Sequence, residues 1–179
     1  MSTAKKLKIE IDPKVEMEIY KKIGIPGAQH KLLERMAGSW KTLSTFWGSP
    51  TEPPVESSGV CEQKMILGGR FLQQECSGEM IGSAFTGIGF TGYDNHSGKF
   101  VSTWMDSLGT AIYVFEGKPD AGGSGFTQKC SADDPVRGPM VWRSVCAIKD
   151  DDTIAFEMYG APRGGREEKM MEMTYTRKR

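Results

Sequence analysis

Three charged residues in the last third of the chain stand where hairpin pairing could bring them together. Asp150 and Asp151 read as the centre of a turn between strands at 139–148 and 153–159, which sets Arg143 near Glu157. Residues 162–166 centre the next turn and set Glu157 near Glu172. Opposed residues of antiparallel strands hold their Cβ atoms within about 5.5 Å. Two carboxylates that close raise each other's pKa, and a guanidinium beside them lowers it again. Inside a barrel such a row could anchor the polar head of a ligand. It could also work as general acid and base, with Glu157, Glu172 and Arg143 as the catalytic candidates. Tyr159 is counted with them as a ligand-binding candidate.

The neighbours of the row argue for a plainer role. Trp142 and Ser144, then Ile154, Phe156 and Met158, then Met171, Met173 and Tyr175 alternate onto the opposite face. The more apolar face of a strand normally faces the core. The row then becomes an exterior ladder of ion pairs, which is worth little energetically. The pocket reading stays open because the N-terminal helices or a second subunit could cover the apolar face instead.

Trp104 and Asp106 share a face of the strand at 99–106, beside Phe100 and Ser102. An aromatic next to a carboxylate at a barrel mouth suits ligand contact, and Trp also serves simply as core. Gly68-Gly69 read as a tight turn sets Cys61 opposite Cys76 and Glu62 opposite Glu75. Counted from a closing pair Leu67–Arg70, the cysteines form a hydrogen-bonded pair, with Cα atoms near 5.5 Å apart. That distance allows a disulfide, whereas a reducing compartment favours packed thiols. Neither Cys61, Cys76, Cys130 and Cys146 nor His30 and His96 fall in metal-ligand spacing, so no metal site is expected. Gly87, Gly89 and Gly92 lie in a strand-like run with no helix after it, which fits strand bends rather than a dinucleotide loop. No Ser-His-Asp order is present, and haem ligation by a strand histidine is not offered, so no cofactor is expected.

The elements that must position these residues follow from turn chemistry. Asp12-Pro13 reads as a helix start, with Val15, Ile19 and Tyr20 on one face and Gly24 as the stop. A second helix after Pro26-Gly27 carries Leu32, Leu33 and Met36 and ends at Gly38. Lys-Leu-Lys-Ile-Glu-Ile before them is a short strand or a loose arm. From Gly38 onward the period changes to alternation, with strands expected at 39–47, 58–67, 70–77, 84–93, 99–106, 109–116, 125–131, 139–148, 153–159 and 168–177. Such a meander removes its sticky edges by closing. The expected fold is an all-β, up-and-down antiparallel closed barrel of about ten strands with one or two short N-terminal helices. Residues 1–25 are read as an extension and residues 26–179 as the barrel domain.

Gly38-Ser39-Trp40, after a short helix and opening the first strand, resembles the lipocalin signature. There the Trp plugs one barrel end and an Arg of the last strand covers it, a role that falls on Trp40 and Arg177. A closer match rests on Glu34 to Trp40, Gly68-Gly69-Arg70-Phe71-Leu72, Gly89-Phe90-Thr91-Gly92-Tyr93-Asp94 and Ser102-Thr103-Trp104-Met105-Asp106. It continues through Phe156-Glu157-Met158-Tyr159 and Met171-Glu172-Met173-Thr174-Tyr175-Thr176. Together these motifs resemble domain-of-unknown-function family 1579 over about residues 28–177. The resemblance implies a lipocalin-like barrel and no activity, and a fold alone supplies none.

Composition bounds the partners. Twenty-three Lys and Arg balance twenty-three Asp and Glu, so the basic excess of a nucleic-acid binder is missing. The apolar runs are strand-sized, far short of the roughly 20 residues of a spanning helix, so no membrane is expected. Met1-Ser2-Thr3-Ala4-Lys5-Lys6 leads into no apolar h-region, which makes the cytoplasm the expected compartment. Eleven methionines suit an adaptable apolar cavity as well as an ordinary core. Three functions remain open: a barrel that binds a small, mostly apolar molecule; an enzyme with carboxylate acid–base chemistry inside the barrel; and an assembly module forming a homodimer through residues 1–25.

Overall fold

Alternating residues between frequent glycine turns form strands that each hydrogen-bond the next, and the last returns to the first. The computed structural model describes residues 11–48, 53–80 and 82–179. The Lys-Leu-Lys-Ile-Glu-Ile segment therefore lies almost wholly outside the described residues. Two helices, α1 (Pro13–Ile23) and α2 (Ala28–Met36), precede ten strands. These are β1 (Gly38–Phe46), β2 (Val55–Ile66), β3 (Phe71–Met80), β4 (Ser83–Asp94), β5 (Lys99–Asp106), β6 (Tyr113–Pro119), β7 (Gly125–Asp134), β8 (Gly138–Ile148), β9 (Thr153–Pro162) and β10 (Glu168–Arg177). They form a closed antiparallel up-and-down barrel in which β1 pairs with both β2 and β10.

Three expectations are corrected. The sixth strand, read at 109–116, begins at Tyr113, because Asp106 accepts the Leu108 amide (3.0 Å) and starts a wide turn. The β8–β9 hairpin closes on Ile148–Ile154, so Arg143 pairs with Tyr159 and Glu157 with Val145, not with each other. The β2–β3 turn closes on Ile66–Phe71, since Leu67, Gly68 and Gly69 all take positive φ. The register of Cys61 opposite Cys76 is as counted, but the hydrogen-bonding alternation moves by one residue. Their Cα atoms stand 4.1 Å apart, the spacing of a non-hydrogen-bonded pair.

α2 closes one end of the barrel. Its Leu32, Leu33 and Met36 are buried against Trp40, Leu72, Phe100 and Ile154 in one continuous core. His30 accepts the Gly27 amide at Nδ1 (3.0 Å) and caps the helix from within the fold. α1 buries none of its side chains, and Val15, Met17, Ile19 and Tyr20 stay about half exposed. Asn95 in the β4–β5 turn holds the end of α1 by donating to the carbonyls of Ile23 (2.7 Å) and Ile25 (2.9 Å). No helix among the described residues is long and apolar enough to cross a membrane.

Candidate functional site

The floor of the barrel is a clasp. The Trp40 indole is fully buried and donates to the Met36 carbonyl (2.9 Å). The Arg177 guanidinium lies 4.1 Å over the indole ring and donates to the carbonyls of Ala37 (2.8 Å), Arg35 (2.9 Å) and Asp151 (2.6 Å). Gly38 has φ +140°, and a Cβ there would strike Arg177 Nη1. The glycine of Gly38-Ser39-Trp40 is thus required by the arginine that covers the tryptophan.

Above this floor the barrel encloses a cavity of about 390 Å³, within the range of small-molecule sites. Its wall is apolar on Trp104, Trp142, Phe156, Met158, Met171 and Met173. Glycines seat the two indoles. A Cβ at Gly87 or Gly89 would collide with the Trp104 ring, and one at Gly160 with the Trp142 ring. Gly87 and Gly89 are therefore the bed of a tryptophan, and the β3–β4 and β4–β5 registers run through both without a bulge. Trp104 donates from Nε1 to Asp106 Oδ2 (3.0 Å), and both line the cavity.

The deeper polar lining is neutral: Thr42, Gln63, Gln74, Gln128, Ser144 and Tyr175. Gln74 Nε2 donates to the Tyr175 hydroxyl (3.1 Å) and to Cys76 Sγ (3.2 Å). Ser102 bridges Thr91 (2.9 Å) and Gln128 Oε1 (2.9 Å). Burial and the neighbouring Cys146 push the Tyr175 phenol above its ordinary value. Burial lifts the Cys146 thiol to about 12. Glu79, Asp106 and Asp134 are the carboxylates of the lining, and each lies near the strand end away from α2. Among the described residues, no Lys, Arg or His lines the cavity.

Arg143, Glu157, Tyr159 and Glu172 stand on the outside of the wall. They alternate with the cavity-lining Trp142, Ser144, Phe156, Met158, Met171 and Met173, and none of the four borders the cavity. Glu157 is opposite Glu172. Between their carboxylates sits Lys169, unforeseen from the sequence, donating to Glu157 Oε1 (2.7 Å) and Glu172 Oε2 (3.1 Å). A bulge between Lys169 and Met171 turns Lys169 outward, where strict alternation would aim it inward with Met171. Hydrogen bonds from Lys169 and Tyr159 hold the Glu157 carboxyl below its usual range. Arg143, stacked 4.0 Å over the Tyr159 ring, grips Glu167 through Nε and Nη2 (2.9 and 2.6 Å). Glu167 was likewise unforeseen. Arg143, Glu157 and Glu172 each have an ion-pair partner on this surface, with Lys169 shared between the two glutamates.

Cys61 and Cys76 form a disulfide on the inner face, where packed thiols were the favoured expectation. The non-hydrogen-bonded register brings the two side chains closer than the assumed one. Cys130 and Cys146 are free and buried. No cluster of three or more metal-ligating side chains occurs among the described residues.

No curated protein matches this chain. Among solved structures, the crystal structure of Rv2717c from M. tuberculosis is similar at 16% identity and a TM-score of 0.65. It covers 87% of this chain and 100% of its own. A redesigned β-barrel, b11L5F_LGL, matches at 11% identity and a TM-score of 0.45, covering 83% of this chain and 96% of its own. The first likeness extends to the barrel fold alone. The family model described as "Protein of unknown function (DUF1579)" matches residues 25–177. The alignment takes in the clasp, the cavity wall and the outer ladder, and by it the chain belongs to the DUF1579 family of proteins of unknown function.

Proposed function

We propose that this barrel binds a small, mostly apolar molecule in its central cavity. One observation carries the reading: a cavity of about 390 Å³ walled by Trp, Phe and Met and floored by neutral polar groups. Such a lining, apolar with a few convergent hydrogen-bonding groups, is that of a ligand pocket rather than a packed core. Thioether side chains add tolerance of shape. The acid–base alternative drew on Arg143, Glu157 and Glu172, which face away from this space.

Native mass spectrometry of the purified full chain tests the reading, followed by titration with the neutral fluorophore N-phenyl-1-naphthylamine. We expect a retained small molecule or saturable probe binding. Ser144→Phe, which places a ring in the cavity, is expected to weaken probe binding at least about tenfold, because the added ring competes for the volume the probe must fill. Unchanged binding in a folded Ser144→Phe variant would move the site outside the barrel. No binder at all would leave the cavity without this role.

A further inference from the structure

Gln63 holds the one buried side-chain polar atom, among the described residues, that has no hydrogen-bond partner. It is 4% exposed, lies directly opposite Gln74 and lines the cavity at the α2 end. Its Oε1 has no hydrogen-bond partner among the described residues. The other deep amides are occupied. Gln74 bonds Tyr175 and Cys76, and Gln128 accepts from Ser102 and donates to the Phe115 carbonyl (3.4 Å). Folded chains rarely bury a polar atom without a partner, and each such atom asks for a reason. In an empty barrel, Leu at this position would be the more stable choice.

We propose that Gln63 binds a hydroxyl of the ligand, so that the occupant is a neutral, largely apolar alcohol seated hydroxyl-first. The inference rests on the cavity-binding reading above. A hydroxyl both donates and accepts, so it pairs with Gln63 once the amide turns its covered Oε1 toward the cavity. The ligand is neutral because the described residues of the lining include no cation to meet an acid, and their carboxylates Glu79, Asp106 and Asp134 would repel one. An anion there would be buried without a counter-charge. The apolar tail then runs along Trp142, Met158 and Met171 toward the barrel end away from α2.

The test uses the full chain and displacement of N-phenyl-1-naphthylamine by 1-decanol, decane and, at pH 8, decanoate. In Gln63→Leu, decanol should lose roughly three- to thirtyfold in affinity relative to decane, the worth of one buried hydrogen bond. The melting temperature should hold or rise. Decanoate should be the weakest competitor for the unsubstituted protein. Gln63→Met is the second variant, should Gln63→Leu not fold. A decanol-to-decane ratio unchanged within twofold by either substitution overturns the role of Gln63. Decanoate that competes as well as decanol overturns the neutral ligand. Both results leave cavity binding standing, whereas failure of the probe and all three competitors to bind the unsubstituted protein removes that reading and this inference together.

Discussion

At the scale of single residues, the four cysteines make a direct statement about chemistry. Burial holds the thiols of Cys130 and Cys146 above their ordinary pKa, which starves them of reactive thiolate. Cys61 and Cys76 are bonded to each other. Iodoacetamide at pH 8 should therefore leave the native chain unmodified, add two groups after unfolding without reductant, and add four after unfolding with it. Mass spectrometry reads the count, and four additions without reductant would show the pair to be thiols. Glu157 gives a second residue-scale test. Its folded pKa is depressed by Lys169 and then Tyr159. Its contribution is thus present above the ordinary carboxylate range and lost as pH falls through the folded value. Glu157→Gln should lower stability at pH 7 by under about 1 kcal/mol, because the pair is about one-third exposed. The difference should shrink in thermal melts as the pH falls below the ordinary carboxylate range, and probe binding should not change.

At the scale of elements, β1, β10 and α2 are tied by one guanidinium. Arg177 reaches three backbone carbonyls and a ring at once, a fan of planar donors that an ammonium cannot copy. Arg177→Lys should destabilise by about 1 kcal/mol or more in chemical denaturation, since the part-buried Ala37 carbonyl and the exposed Arg35 carbonyl lose a charged donor. A loss below about 0.5 kcal/mol would reduce the clasp to a surface contact. The bulge in β10 acts on the same scale. One extra residue moves Lys169 from the face of Met171 to that of Glu172, and so supplies the cation between two carboxylates.

At the scale of the whole molecule, strand number, up-and-down order and closure could be read from turn signals and alternation. Glycine pairs and Asp runs punctuate the chain every ten residues or so, and a meander of that regularity has few ways to bury one face. The β2–β3 and β9–β10 registers were legible because their turns are marked by Gly68-Gly69 and by residues 162–166. The β8–β9 register was missed by two residues, since four polar residues at 149–152 do not say which two close the turn. Lys169 was hidden by its bulge, which leaves no mark in composition. Gln63 was hidden for another reason. The inner face of β2 reads Gly59, Cys61, Gln63, Met65, no more apolar than a solvated face, because a wall that faces a cavity need not be greasy throughout. Alternation finds a core more readily than it finds a pocket.

The seam between β1 and β10 imposes a timetable. Each hairpin from β2 to β9 can pair as soon as it leaves the ribosome, but β1 meets its second neighbour only when β10 has been made. Throughout synthesis the nascent chain carries the bare edge of β1, and with it an exposed Trp40 that Arg177 has yet to cover. Unpaired edges recruit other chains, and barrels whose closing contact is distant in sequence fold slowly. For this protein the hazard of aggregation is concentrated in the interval before β10 emerges, and a chaperone that shields strand edges would act on it there.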